Sequence, residues 1–275
     1  MARANIDDDF LEFVDVVEEV LQNETLPKRY FRDVENPLER FRDDEFQNRY
    51  RFSKDSVRHI ILPMIQNQLM KTNNRGLPIP PLIQLLVCLR FFATGNFQVV
   101  SGDLRGISQA TVSVIIKRVS EMIAEQTAHF IKFLAEEALQ RENITKFWRI
   151  SAFPGVAACV DCTHIPIASP GGNNAVAAGP HMEILDIVVR HPGSTHDSVI
   201  FDRSSLRVRF EQHQLLGLLL GDNGYPCRPY LLTPVIQPGN INENRYNTAH
   251  IRTRNIVERV FGVWKRRFPC LRRIN

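Results

Sequence analysis

The spacing of apolar residues predicts helices in the first part of the chain. In "DDDFLEFVDVVEEVL", residues 7–21, one face of a helix would carry Phe10, Phe13, Val14, Val17 and Leu21. The stretch "FSKDSVRHIILPMIQNQL" has the same periodicity, and Ser53 is its predicted N-cap. The Gly- and Pro-containing stretch "NNRGLPIPP" is typical of a loop. Residues 1–75 are therefore predicted to form a helical N-terminal region.

Residues 76–149 have the outline of a helix-turn-helix. "LIQLLVCLRFFATG" predicts an apolar helix that ends at Gly95, and "VVSGDLRGIS" predicts a short helix and turn. A longer helix follows in "SQATVSVIIKRVSEMIAEQ", with Ser108 as its N-cap and with outward-facing polar residues Gln109, Thr111, Ser113, Lys117 and Arg118. Such a second helix can bring polar side chains to base edges of DNA. An ordinary helical hairpin with a solvated face explains the same pattern, and the residues alone leave both interpretations open.

From about residue 150 the pattern alternates between strands and helices. "AACVDCTHIPIA" and "MEILDIVVRHPG" are rich in β-branched residues, as strands are, and "QLLGLLLGDNGY" is an apolar run that ends in a turn. "DSVIFDRSSLRVRFEQHQ" and "NTAHIRTRNIVERVFGVWKRRF" predict helices. Residues 150–275 are therefore predicted to form an α/β domain with a mixed sheet.

Composition narrows the class of protein. The 275 residues are 44% hydrophobic and 23% charged, which fits a globular protein with a sizeable core. No run of 18 apolar residues occurs, so we expect no membrane span, and the acidic N-terminus lacks the basic start and apolar middle of a secretory signal. The five cysteines are scattered and odd in number, which favours free thiols in a reducing compartment over a disulfide framework.

The charge is divided unevenly between the two ends. Residues 1–45 contain six Lys/Arg and fourteen Asp/Glu, a net charge of −8, whereas residues 245–275 contain nine Lys/Arg and one acid, a net charge of +8. This asymmetry predicts that the basic end binds a polyanion and that the acidic end binds a different surface. The protein's own basic face is a candidate for that surface. The basic run Lys265, Arg266 and Arg267 is interpreted first as a DNA phosphate contact, with a nuclear import signal or a solvated face as alternatives.

Three acids lie at the edges of apolar elements, namely Asp161, Asp222 and Glu258. Burying unpaired carboxylates is costly, and Mg²⁺ or Mn²⁺ binds oxygen ligands of this kind. Each acid also has a simpler explanation: a loop cap for Asp161, a turn in "GDNGY" for Asp222, and an ion pair with Arg254 for Glu258. The residues alone do not choose between a metal centre and these local roles.

Further polar residues surround the predicted strands. "CVDC" has the spacing of half a zinc site but lacks a second pair, which argues against zinc. "GSTHDS" is best explained as the cap of the helix that follows it. A supporting role at a metal is the alternative for His164, His196 and Asp197.

Several ordered motifs resemble the PIF/Harbinger family of DDE transposases, and in particular the animal Harbinger transposase-derived nucleases. They are "ATGNFQVVSGDLRGISQATVS", "VDCTHIPI", "PGSTHDS", "LLGDNGYP" and "RYNTAHIRTRNIVERVFGVWKRRF", and the likeness extends from about Phe52 to the C-terminus. The resemblance implies an RNase H-like DDE nuclease domain behind an all-helical region with a helix-turn-helix. It also implies a catalytic, metal-binding triad at Asp161, Asp222 and Glu258, a divalent cation (Mg²⁺ or Mn²⁺) as cofactor, and DNA as substrate. Members of the domesticated branch are nuclear and cytoplasmic and use a Myb-like partner protein, which the resemblance implies here too.

The chain differs from this family at two places. Near residues 175–182 it has only "VAAGPH" where similar proteins carry a longer segment, and it ends at "CLRRIN" where they continue. From the first difference we expect the middle one of three antiparallel strands to be missing, and from both we expect impaired cleavage. A DNA-binding adaptor without catalytic activity is the alternative function.

Overall fold

The computed structural model describes residues 36–70, 78–95, 107–165, 172–192 and 194–272. The helix expected at residues 7–21 lies outside this range, as does most of the short helix expected just before Ser108. The helix-turn-helix as a whole therefore stays a prediction, while its second helix can be described.

The N-terminal region is helical where it is described. Its elements are α1 (Pro37–Arg40), α2 (Asp43–Tyr50), α3 (Lys54–Ser56), a π-helical turn (Val57–Ile61), α4 (Leu62–Leu69), α5 (Pro81–Thr94), α6 (Gln109–Glu125) and α7 (Thr127–Phe130). The predicted helix ends are confirmed: Ser53 and Ser108 accept backbone N–H bonds with their hydroxyl oxygens, and Gly95 ends α5 at a φ of 72°. Side chains from α2, α4, α5 and α6 form one apolar core.

The second region is a mixed α/β unit. Its sheet has five strands in the order β3-β2-β1-β4-β5, with bounds β1 (Val156–Ile165), β2 (Gly172–Ala178), β3 (Ile184–Pro192), β4 (Leu218–Leu220) and β5 (Leu231–Leu232). β2 pairs antiparallel with β1 and β3, whereas β1, β4 and β5 are parallel. The accompanying helices are α8 (Glu137–Ser151), α9 (Asp197–Asp202), α10 (Ser205–Glu211), α11 (Ile241–Arg267) and a 3₁₀ turn (Pro269–Leu271).

The two faces of the sheet carry separate cores. On one face, side chains of α11 such as Val257 pack against Cys159 of β1 and Leu220 of β4. On the other face, α10 contributes Phe210 to a second apolar cluster. The strands alternate between these faces because successive side chains of a strand point in opposite directions. In the described part of the chain, no helix is both long and apolar enough to cross a membrane.

The expectation that the middle antiparallel strand is missing was wrong. Residues Gly172–Ala178 form that strand, and they pair with β1 from Cys159 to Ile165 and with β3 on the other side. Strand pairing uses backbone groups, so this strand forms without a long apolar run in its sequence. A tight turn, closed by the bond from the Gly179 amide to the Glu183 carbonyl (2.9 Å), then leads into β3.

The C-terminal end of α11 contacts the helical region. Arg267 donates two hydrogen bonds to the carbonyl of Arg51, at 3.1 and 2.7 Å, and its guanidinium lies 5.4 Å from the ring centre of Phe52. The rings of Phe52 and Phe268 are 5.9 Å apart. One long helix therefore joins the sheet to the helical region.

Candidate metal centre

The strand register brings Asp161 and Asp222 to the same level of the sheet. In the parallel pair β1–β4, Cys159 is opposite Leu220, and each aspartate follows two residues later. The carboxyl ends of neighbouring parallel strands meet at one edge of a sheet, where α/β proteins commonly bind ligands. The two carboxylates are therefore neighbours although 60 residues separate them in sequence.

Asp197 reaches the same edge from β3. Because β2 is antiparallel to both β1 and β3, these two strands run in the same direction and end at the same edge. After β3, His196 occupies the N-cap position of α9, and Asp197 is the first residue of that helix. One carboxylate oxygen each of Asp161, Asp197 and Asp222 lie within 4.8 Å of one another. Asp197 thus completes a cluster of three half-buried acids.

A glycine permits this close approach. The Gly224 amide donates to Asp222 Oδ1 at 2.9 Å, so Asp222 is also the turn residue that "GDNGY" suggests. A Cβ atom on Gly224 would lie 3.1 Å from that same oxygen and 3.6 Å from Asp197 Oδ2. The turn role of Asp222 therefore orients its carboxylate toward the cluster.

Glu258 is connected to the cluster through Arg254. Arg254 Nη1 donates to Asp161 Oδ2 at 3.1 Å, and Nη2 donates to Glu258 Oε1. The side chains of Arg254 and Asp161 are each 15% exposed, whereas that of Glu258 is 51% exposed. The group of acids within 4.8 Å contains Asp197 and does not contain Glu258. Arg254 is the residue that the sequence interpretation missed as a partner of Asp161; only its spacing from Glu258 pointed to it.

The cluster perturbs the charge state of Asp161. Burial raises the pKa of Asp161 from 3.8 to about 6, and the nearby carboxylates of Asp222 and Asp197 also raise it. Arg254 and the Cys162 amide, which donates to Asp161 Oδ1 at 2.9 Å, act in the opposite direction. The raised pKa indicates that these favourable contacts do not fully offset burial and mutual repulsion.

The two cysteines beside Asp161 lie on opposite faces of β1. Cys159 Sγ donates to the Thr253 carbonyl of α11 at 3.5 Å, while Cys162 Sγ lies 3.3 Å from the Tyr225 hydroxyl. Burial raises the pKa of the Cys162 thiol to about 12. Because the two thiols are on opposite faces, a single ion could not bind both. The Asp161 side chain is on the same face as Cys159, toward Arg254.

The other predicted site residues are spread over several elements. His164 lies on β1 three residues after Asp161, and His196 is exposed. The proposed DNA-contacting residues of α6 are all exposed, and one of them, Arg118, donates to the Gln68 carbonyl. At the end of α11, Arg266 is exposed, whereas Arg267 makes the contacts with Arg51 and Phe52 already described.

Comparison with known proteins identifies relatives of this chain. A family model described as DDE superfamily endonuclease matches residues 171–275. The chain is 31% identical to "Putative nuclease HARBI1" of Bos taurus over 255 residues, covering 85% of this chain and 72% of that protein. The corresponding protein of Homo sapiens is 30% identical with the same coverage, and "Protein ALP1-like" of Arabidopsis thaliana is 25% identical over 73% of this chain and 56% of its own length. No solved structure matches. The chain therefore belongs to the Harbinger transposase-derived nucleases of the DDE endonuclease superfamily.

Proposed function

We propose that this protein is a divalent-metal-dependent nuclease that hydrolyses DNA phosphodiester bonds. The observation that carries the proposal is the meeting of three carboxylates from separate elements at one edge of the sheet. The strand order, with three antiparallel strands followed by two parallel ones, supports the RNase H-like fold that the family resemblance implies.

The residues of the cluster fit Mg²⁺ or Mn²⁺. Asp161, Asp197 and Asp222 offer hard oxygen ligands from three positions, and Arg254 is a cation in direct contact with one of them, Asp161. When bound, a divalent ion at these carboxylates would stabilise the negative charge that develops on the phosphate during hydrolysis. Family membership supports the metal because DDE superfamily nucleases use divalent ions.

The protein's own residues have distinct parts in this proposal. Asp161 and Asp222 are held by neighbouring strands, so their positions are fixed before substrate binds. Glu258, the third member of the triad implied by the resemblance, has a half-exposed carboxylate that can accept a hydrogen bond from the attacking water. Arg254 holds Asp161 and Glu258 on one guanidinium and so sets the spacing between them.

DNA would be bound by basic residues outside this cluster. Lys117 and Arg118 are exposed on α6, and Arg266 is exposed at the end of α11. Phosphate contacts of this kind position a duplex without reading its sequence. Binding and cleavage are therefore expected to be separable by mutation. A substrate of this kind is consistent with the nuclear location implied by the resemblance.

A plasmid-nicking assay tests the proposal. We expect nicking by the full chain in Mn²⁺ or Mg²⁺, none in EDTA, and a loss of about 100-fold or more on Asp161→Asn, which keeps the size of the side chain and removes its charge. The matched control is Asp55→Asn, at an exposed position on α3, which should nick at the wild-type rate. Gel-shift binding in EDTA should be unchanged in both variants.

The adaptor alternative predicts a different set of results. Wild-type protein that binds duplex DNA but nicks with neither ion would refute the nuclease proposal and support a binding function. Equal nicking by wild type and Asp161→Asn would indicate a contaminating nuclease or another active site, and would also refute it.

A further inference from the structure

An apolar cavity of about 500 Å³ opens between the helical region and the end of α11. Its walls are almost wholly apolar and include Phe52, Met64, Trp264 and Phe268. Two of its lining residues are more than half exposed, Ile60 at 53% and Phe130 at 55%. Apolar surface that is gathered in one concave site and open to water is typical of a place where another segment binds.

We propose that the acidic N-terminal segment, residues 7–21, binds in this cavity as an amphipathic helix. The segment has five apolar residues at helical spacing, and its remaining positions are mainly acidic. An isolated helix of about 15 residues is marginal in water, so this one needs an apolar surface on which to form. A helix laid in an apolar groove is a common mode of recognition, with anchors at the spacing seen here.

The charges around the cavity suit an acidic partner. Arg267 lies over the ring of the lining residue Phe52, with Arg266 exposed beside it in sequence. Arg58 is also exposed, on the π-helical turn that supplies the lining residue Ile60. Residues 7–21 contain seven Asp/Glu and no Lys/Arg, so they are attracted to these basic side chains.

The connecting chain is long enough for this contact. The fourteen residues 22–35 can span at most about 50 Å when extended. The described chain also begins close to the cavity, since Phe41 packs edge-on against Tyr50, two residues before the lining residue Phe52. Because the segment is covalently attached, its effective concentration at the cavity is of the order of millimolar, which favours it over a separate partner.

Site-specific photocrosslinking in the full chain tests this contact. A benzoylphenylalanine at position 60 should crosslink within the same chain to a peptide from residues 7–21. The matched control places the crosslinker at Ile236, which is 80% exposed. Ile236 lies just before the N-terminal end of α11, whereas the cavity is at the C-terminal end of this helix. With 27 residues, α11 is about 40 Å long. Crosslinker at position 236 should give no product with residues 7–21.

Variants of the segment itself make the test specific. Phe13→Asp should reduce the crosslink from position 60 at least tenfold, whereas Phe13→Leu should retain it; neither change touches the described fold. A second crosslinker at Phe130, on another part of the cavity wall, guards against a local effect at position 60. A crosslink to a second copy of the chain, or no product with residues 7–21 from either position, would overturn the proposal.

Discussion

Replacing Arg254 by Met should destabilise the metal-free protein more than replacing an exposed basic residue of α11 does. Arg254 is the cation that contacts Asp161, at 3.1 Å, and both side chains are 15% exposed. Even with Arg254 present, the pKa of Asp161 is about 6 against a reference of 3.8, which corresponds to about 3 kcal/mol against the folded state at neutral pH. Removing the partner of a buried charge typically costs ~3–5 kcal/mol, so we expect a loss of about 2–4 kcal/mol in EDTA.

Two controls on the same helix separate this effect from general damage. Glu258→Gln breaks only the half-exposed ion pair with Arg254, which should cost less than about 0.5 kcal/mol. Arg259→Met removes an exposed basic residue five positions along the helix and should change the free energy of unfolding by less than about 0.5 kcal/mol.

Divalent ions should partly reverse the loss. A bound cation takes over the neutralisation of Asp161, so Arg254→Met should gain more stability from Mn²⁺ than the wild type does, by about 1.4 kcal/mol for each tenfold gain in affinity. Urea unfolding at pH 7.5, in EDTA and in excess Mn²⁺, measures both quantities from the midpoints. The reasoning would be refuted if Arg254→Met matched Arg259→Met in EDTA, or if Mn²⁺ stabilised both variants equally.

Three further predictions follow from the candidate metal centre and from the proposed DNA-binding residues of α6. The pKa of Asp161 is raised in the folded state, so without metal its contribution to stability is complete below pH 3.8 and is lost as the pH rises through about 6. Asp161→Asn should remove this pH dependence from the free energy of unfolding, measured by urea unfolding at several pH values. Gly224→Ala should push against Asp222 Oδ1 and lower Mn²⁺ affinity about tenfold by calorimetry, with a change in stability below about 1 kcal/mol. The double variant Lys117→Ala, Arg118→Ala should reduce the slope of log K against log salt by about 2 in filter-binding titrations, and an unchanged slope would exclude α6 as a phosphate-binding surface.

Local signals in the sequence were sufficient to predict helix ends. The capping hydrogen bonds of Ser53, Gly95 and Ser108 reach only three or four residues along the chain. A short stretch of sequence therefore contains every group that determines where the helix begins or ends. The helix expected in "DSVIFDRSSLRVRFEQHQ" is instead two helices, because Ser204 begins a new one as an N-cap. Its hydroxyl accepts the Arg207 amide at 3.2 Å, a capping signal that the apolar periodicity concealed.

The site depended on contacts that no local pattern contains. The sequence shows that Asp161 and Asp222 each follow an apolar strand, but their meeting depends on the pairing of Cys159 with Leu220 across the sheet. Spacing on one helix suggested an ion pair between Arg254 and Glu258, yet the bond from Arg254 to Asp161 joins residues 93 positions apart. Such long-range contacts follow from packing of α11 on the sheet, which local periodicity does not determine.

The strand expected to be missing explains how the third carboxylate reaches the site. If β2 were absent and β3 paired directly with β1 through the same kind of hairpin, the two strands would be antiparallel, and β3 would end at the opposite edge of the sheet. With β2 between them, β3 runs in the direction of β1, and the chain enters α9 beside Asp161 and Asp222. One of the two grounds for expecting impaired cleavage was that Asp161 would lack a supporting strand. Asp161 is instead on the central strand, with β2 on one side and β4 on the other, so that reason for favouring an adaptor over a nuclease no longer applies.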